Sequence, residues 1–251
     1  MIIDAHSHLN DEQYDADRAD VILRMKEAGI ATVTIGTDLA MSKKAIEIAE
    51  SNGWWATVGK HPVDNPDEVF DYNAYKELAS HKRVVGIGEC GLDYYWEKTD
   101  EGKDVQKALF LEHIRLAGEM KKPLMMHIRN AYEDGYDLIR SHGVNGVLHF
   151  YTGDWNTAKR YLDIGCVVSF PGVITFTDDV DETIKNVPDD SFLIETDAPL
   201  ATPVPYRGKR NEPTYILEII KKIARVRGTS PERVSSLTTA TAERTFGIST
   251  T

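Results

Sequence analysis

Apolar, β-branched-rich runs recur along the chain, and stretches with helical spacing lie between them. The strand-like runs span residues 2–5, 31–36, 55–59, 84–88, 124–127, 146–149, 167–169 and 192–195. Helix-like stretches cover about 16–28, 42–51, 72–80, 103–121, 132–142, 155–164, 181–185, 214–226 and 231–246. In the stretch 214–226, Ile216, Ile219, Ile220 and Ile223 make an apolar stripe at helical spacing. Strands separated by helices require parallel pairing and right-handed crossovers. Eight such units in 251 residues predict a single-domain (β/α)8 TIM-like barrel over 1–251, with a doubly wound open sheet as the alternative. No linker or low-complexity tract divides the chain. The longest irregular piece, residues 197–211, is rich in proline and basic residues and follows the last strand. Loops there lie on the active face of a barrel.

Polar residues capable of binding metal sit where these runs end. His6 and His8 are two apart on the first strand, so both imidazoles face one space. Glu89, His127, His149 and Asp197 each close a later apolar run. A barrel gathers the carboxyl ends of its strands around one mouth, which favours it over the open sheet. Carboxylates after apolar strands are costly unless paired or bound to metal. Four imidazoles and two carboxylates exceed the needs of one tetrahedral zinc ion. They suit two divalent ions sharing a carboxylate, and Glu89, on the fourth strand, is the natural bridge. Paired ions clamp a phosphoryl group and lower the pKa of a bound water. Mixed ligation of this kind suits Zn, Mn, Fe, Ni or, more weakly, Mg. Asp197 is expected to ligate one ion and accept the water's proton.

Composition narrows the function. A net charge of −11 argues against a broad basic surface wrapping nucleic acid, though not against a small basic patch beside a metal site. Arg129, two residues after His127, is placed to hold a phosphate through its fork of donors. The loop Arg207-Gly208-Lys209-Arg210 adds cations near the same mouth. Cys90 and Cys166 indicate no disulfide framework. With no secretory signal and no membrane-length apolar run, a reducing cytoplasm is the expected compartment, without membrane or obligate protein partner. Cys90 should point away from Glu89 and serve packing. His81, His113 and His142 read as surface or packing residues, and Gly86-Ile87-Gly88 is no dinucleotide motif. Tyr94, Tyr95 and Trp96 follow the Glu89 strand and are candidates to stack on a base.

These residues resemble the TatD-type metal-dependent deoxyribonucleases of the amidohydrolase superfamily. The resemblance runs through residues 3–9, 59–62, 88–95, 126–129, 148–153, 195–199 and 210–213, essentially the whole chain. It implies a barrel with a divalent-metal site that hydrolyses DNA phosphodiesters, often from strand ends. It further implies that His6, His8, Glu89 and Asp197 hold one metal and that Glu89, His127 and His149 hold the other. His61, at the end of the third strand, resembles a histidine that in the family either backs the metal ligands or faces substrate. Phe150 stands where the family usually has Cys or a similar residue, a change that bears on substrate preference, and Thr241 stands at a structural position where the family commonly has Asn. Two rival readings are another amidohydrolase-type activity (lactonase, amidase, phosphotriesterase or deaminase) and a non-enzymatic metal or nucleic-acid binding protein.

Overall fold

In the computed structural model, which describes residues 1–250, the strands are β1 (Ile2–Ser7), β2 (Ile30–Thr34), β3 (Trp55–Val58), β4 (Val84–Asp93), β5 (Leu124–Arg129), β6 (Gly146–Leu148), β7 (Val167–Phe170) and β8 (Phe192–Ile194). The helices are α1 (Arg18–Glu27), α2 (Leu39–Asn52), α3 (Tyr72–Ala79), α4 (Asp100–Met120), α5 (Tyr132–His142), α6 (Trp155–Asp163), α7 (Asp181–Asn186), α8 (Ile216–Arg227) and α9 (Pro231–Phe246). The sheet runs β1-β2-β3-β4-β5-β6-β7-β8 in sequence order, and every pair is parallel. A doubly wound sheet would reverse direction at its switch point. Sequential order instead curls the sheet into the expected barrel.

The seam between β8 and β1 is closed by the residues just past β8. Asp197 N–H donates to the His6 carbonyl at 3.0 Å, and His8 N–H donates to the Ala198 carbonyl at 2.8 Å. The buried Asp4 carboxylate accepts Thr196 N–H at 2.9 Å and its hydroxyl at 2.5 Å. One closure therefore brings the β1 histidines against Asp197.

Helix starts follow capping chemistry more than apolar spacing. Asp38 caps the Met41 N–H at 2.7 Å, so α2 begins at Leu39, ahead of the expected 42. Thr99 caps Gly102 N–H at 3.1 Å and likewise starts α4 at Asp100, not 103. The isoleucine stripe of α8 is buried as expected. Cys90 and Cys166 are free and buried.

The largest departure is β4. The sequence pattern ends it at Gly88, whereas it continues to Asp93, because Cys90–Asp93 pair with Met126–Arg129 of β5. Between Ile87↔Leu124 and Cys90↔Met126 the register gains one residue on β4. That bulge holds Gly88 and Glu89. A matching shift between Asp4↔Thr32 and Ser7↔Thr34 holds His6 on β1. Bulges re-aim side chains. The strands carrying His6 and Glu89 are thus both irregular at those residues.

Candidate metal centre

Glu89 stands at the centre of the mouth, 3 % exposed, and its two oxygens face different partners. Oε2 lies 3.3 Å from His6 Nε2 and 3.7 Å from His8 Nε2. Asp197 Oδ1 is 3.6 Å from His6 Nε2 and 3.3 Å from His8 Nε2, and the two imidazole nitrogens are 3.2 Å apart. On the other side, Oε1 lies 3.0 Å from His149 Nε2, 3.1 Å from His127 Nδ1 and 3.4 Å from His61 Nε2. His127 Nδ1 and His149 Nε2 are 3.3 Å apart. Donors at ~2.0–2.2 Å around a tetrahedral ion stand roughly 3.3–3.6 Å from one another. The donor separations, from 3.0 to 3.7 Å, scatter around that spacing, and their nitrogen and carboxylate chemistry fits a divalent cation.

The residues singled out by strand-end position therefore converge, although their backbones differ from expectation. Glu89 lies inside β4, not at its end. His8 and His149 each lie one residue past their strands, and Asp197 lies in the turn after β8. His61 is in the loop after β3, three residues past its end, with Nδ1 accepting the Asp64 backbone N–H at 3.2 Å. Asn130, Phe150, Asp197 and Ala201 adopt positive φ without being glycine, and all four line the cavity over the candidate metal-binding groups. Unfavourable backbone gathered at one place is a mark of function.

Electrostatics reinforce the reading. Burial would raise the Glu89 carboxyl, but His149, His61 and His6, with a hydrogen bond from His127, hold it well below the usual carboxylate range. Burial likewise opposes ionisation of Asp197, and the His8 hydrogen bond with the neighbouring imidazoles keeps it low. Burial disfavours a charged His149, yet Glu89 and Glu195 raise it well above 6.5. The buried carboxylates thus demand positive charge in their midst.

Two partners escaped the sequence pattern. Asp93 Oδ2 lies 2.9 Å from His127 Nε2, and its Oδ1 accepts the N–H groups of Tyr95 and Trp96 at 2.9 and 3.0 Å. Glu195 Oε1 lies 3.3 Å from His149 Nδ1 and accepts Phe150 N–H at 2.6 Å. Each carboxylate stands behind the far nitrogen of an imidazole whose near nitrogen faces Glu89; the Asp93 hydrogen bond fixes the orientation and tautomer of His127. Both residues stand within quoted motif stretches, but nothing in their spacing marks what they touch. Asn211 also proves structural, its amide donating to the carbonyls of Thr196 and Leu200 at 2.8 and 2.6 Å and so bracing the Asp197 turn.

The cavity over this centre measures about 670 Å³, within the size range of small-ligand sites. Its lining includes His61, Trp96, Arg129, Phe150 and Leu200. Arg207 is not part of that lining; its guanidinium lies 3.9 Å over the Phe176 ring. Arg210 is committed to Asp17 at 2.6 Å, so the basic loop contributes less free charge than its composition suggests.

Known proteins resemble this chain along nearly its whole length. The family described as TatD related DNase matches residues 3–247. The metal-dependent hydrolase YabD of Bacillus subtilis is 40% identical over 256 residues, covering 99% of this chain and 100% of that protein. A Rahnella protein named 3'-5' ssDNA/RNA exonuclease TatD is 31% identical, covering 96% of this chain and 97% of its own. The crystal structure of YjjV, a TatD homologue from Escherichia coli, superposes with a TM-score of 0.91 over 99% of this chain and 98% of that one, at 21% identity. Amidohydrolase-type structures at 10–11% identity, such as an N-acetylglucosamine-6-phosphate deacetylase with a TM-score of 0.64, share the fold alone. The chain belongs to the TatD family of metal-dependent hydrolases.

Proposed function

We propose that the protein is a two-metal phosphodiesterase that hydrolyses DNA, acting at strand ends. The carrying observation is Glu89, whose Oε2 faces His6 and His8 while its Oε1 faces His127 and His149. In this reading His6, His8, Glu89 and Asp197 hold one divalent ion, and Glu89, His127 and His149 hold the second. When bound, such a pair supplies an acidified water and neutralises charge on phosphate oxygens. Zn²⁺, Mn²⁺ and Fe²⁺ suit the mixed imidazole and carboxylate donors. The name of the Rahnella relative supports a nucleic-acid substrate.

The chain's own residues supply the rest. Asp197, buried and lining the cavity, accepts the proton released as water adds to phosphorus. The phosphorus–oxygen ester bond breaks in the same displacement, freeing the nucleotide. Arg129, exposed at the rim, offers paired N–H donors to a phosphate. His61, held by Asp64, faces Glu89 Oε1 and the bound phosphate from the other side. Arg207, farther out, draws the anionic strand toward the mouth.

The test compares free-ended with end-blocked single-stranded oligonucleotides after repletion with each metal in turn. Free ends should be degraded and blocked ends spared. Asp197→Asn should keep the fold and lower kcat by roughly 100-fold, the scale of a general base. No metal-dependent cleavage of any strand contradicts the assignment. Full turnover in Asp197→Asn with both metals bound contradicts only the role of Asp197.

A further inference from the structure

Of the three aromatic residues that follow the Glu89 motif, the structure commits two and leaves one. Tyr94 donates its hydroxyl to Asp134 at 2.7 Å and packs against the core. Tyr95 is covered on one face by the Arg129 guanidinium at 3.9 Å. Trp96 is 66 % exposed and lines the cavity beside His127 and Arg129. A singly exposed ring is ordinary on a protein surface, but this one stands on the wall of the cavity over the buried His and carboxylate cluster.

Trp96 is also held in place. Its backbone N–H donates to Asp93 Oδ1 at 3.0 Å, and Asp93 Oδ2 lies 2.9 Å from His127 Nε2. One carboxylate thus ties the backbone that carries the indole to an imidazole of the metal-binding group. Tyr95 braces it edge-on, with ring centroids 5.0 Å apart, and Arg129 braces Tyr95 in turn. The rim therefore presents a planar apolar face and a guanidinium side by side. A nucleotide offers the matching pair, a base and a phosphate. Base stacking on aromatic side chains tolerates any sequence, because every base has a π-face.

We propose that Trp96 is the stacking platform for the base of the nucleotide whose phosphodiester is cleaved, and that it makes the enzyme select single-stranded ends bearing a base. This rests on the phosphodiester reading above. In a duplex the terminal base is held by its pairing partner and by the stack beneath it, so a single-stranded terminal base reaches the indole more readily. The platform acts on binding, leaving the step at phosphorus to the metal-binding groups.

The test uses the full-length, metal-repleted protein and two single strands differing only in the terminal residue, one with a base and one with a tetrahydrofuran abasic sugar. Wild type should prefer the base-bearing strand by about tenfold, and Trp96→Ala should abolish that preference through KM, leaving the abasic strand unchanged. Trp96→Phe should retain most of it. Binding of a cleavage-resistant phosphorothioate strand should quench tryptophan fluorescence in wild type and much less in Trp96→Ala. Equal loss on both strands, or no loss on either, overturns the platform while leaving the nuclease assignment intact. Failure of wild type to cleave any strand refutes the phosphodiester reading and the platform with it.

Discussion

His127 is gripped at both ring nitrogens, Nδ1 by Glu89 at 3.1 Å and Nε2 by Asp93 at 2.9 Å. A proton on Nε2, donated to Asp93, leaves Nδ1 with a free lone pair to bind a cation. Asn at position 93 can still accept the N–H groups of Tyr95 and Trp96 through its oxygen. Its amide must then donate to Nε2, which moves the ring proton to Nδ1. Asp93→Asn should therefore weaken metal binding by about 10–100-fold with little change in fold. Competition against a metallochromic chelator reads this directly, and unchanged affinity would mean Asp93 is only a loop anchor. At this scale the sequence was legible wherever a polar residue broke an apolar run. Glu89, His127, His149 and Asp197 all announce themselves that way, and the structure brings them together. Asp93 gives no such signal, because the apolar run ends at Gly88, five residues before it.

Gly88 and Gly91 show what the element scale adds. Both have positive φ, +143° and +142°. A Cβ on Gly91 would fall well inside contact distance of the His127 carbonyl oxygen, and β5 backbone cannot swing aside as a side chain can. Gly91→Ala should therefore lower Tm and metal occupancy together. Differential scanning with metal analysis checks it, and loss of neither would mean the β4–β5 ladder yields locally. The glycines here permit a bulge and a close approach where sequence pattern reads a stop. Helix α4 offers a second case. His113, expected to be an ordinary packing or surface residue, is fully buried, accepting Lys60 N–H at Nε2 (2.9 Å) and facing the Leu109 carbonyl with Nδ1 at 2.9 Å. Burial pushes it from 6.5 down to about 4, against the pull of the Leu109 carbonyl. The folded state thus keeps it neutral, and its contribution to stability is complete above pH 6.5 and is lost as pH falls to about 4. His113→Gln, which cannot titrate, should close the stability gap to wild type by roughly 3 kcal/mol between pH 7 and pH 4. Urea melts at both pH values test this, and parallel curves would show that His113 does not carry the linkage.

At the scale of the whole molecule, eight strand–helix units were readable from periodicity, and their closure into a ring was readable from where the ligand candidates fell. The sequence could not show how the ring closes. That depends on Asp4 reaching Thr196 across a separation of 192 residues, a contact no local pattern encodes. The consequence is functional, since the same seam sets Asp197 against His6 and His8. A barrel that brings His6, His8, His127 and His149 to the two oxygens of one carboxylate, with Asp197 against the first pair, is built around Glu89. Metal stoichiometry in wild type and Glu89→Ala, measured by mass spectrometry on folded, metal-repleted protein, tests that claim most directly. Wild type should hold two divalent ions per chain, Glu89→Ala should lose occupancy at both positions, and His127→Ala should lose chiefly one. A single ion in fully repleted wild type, or two ions retained by Glu89→Ala, would contradict the shared bridge.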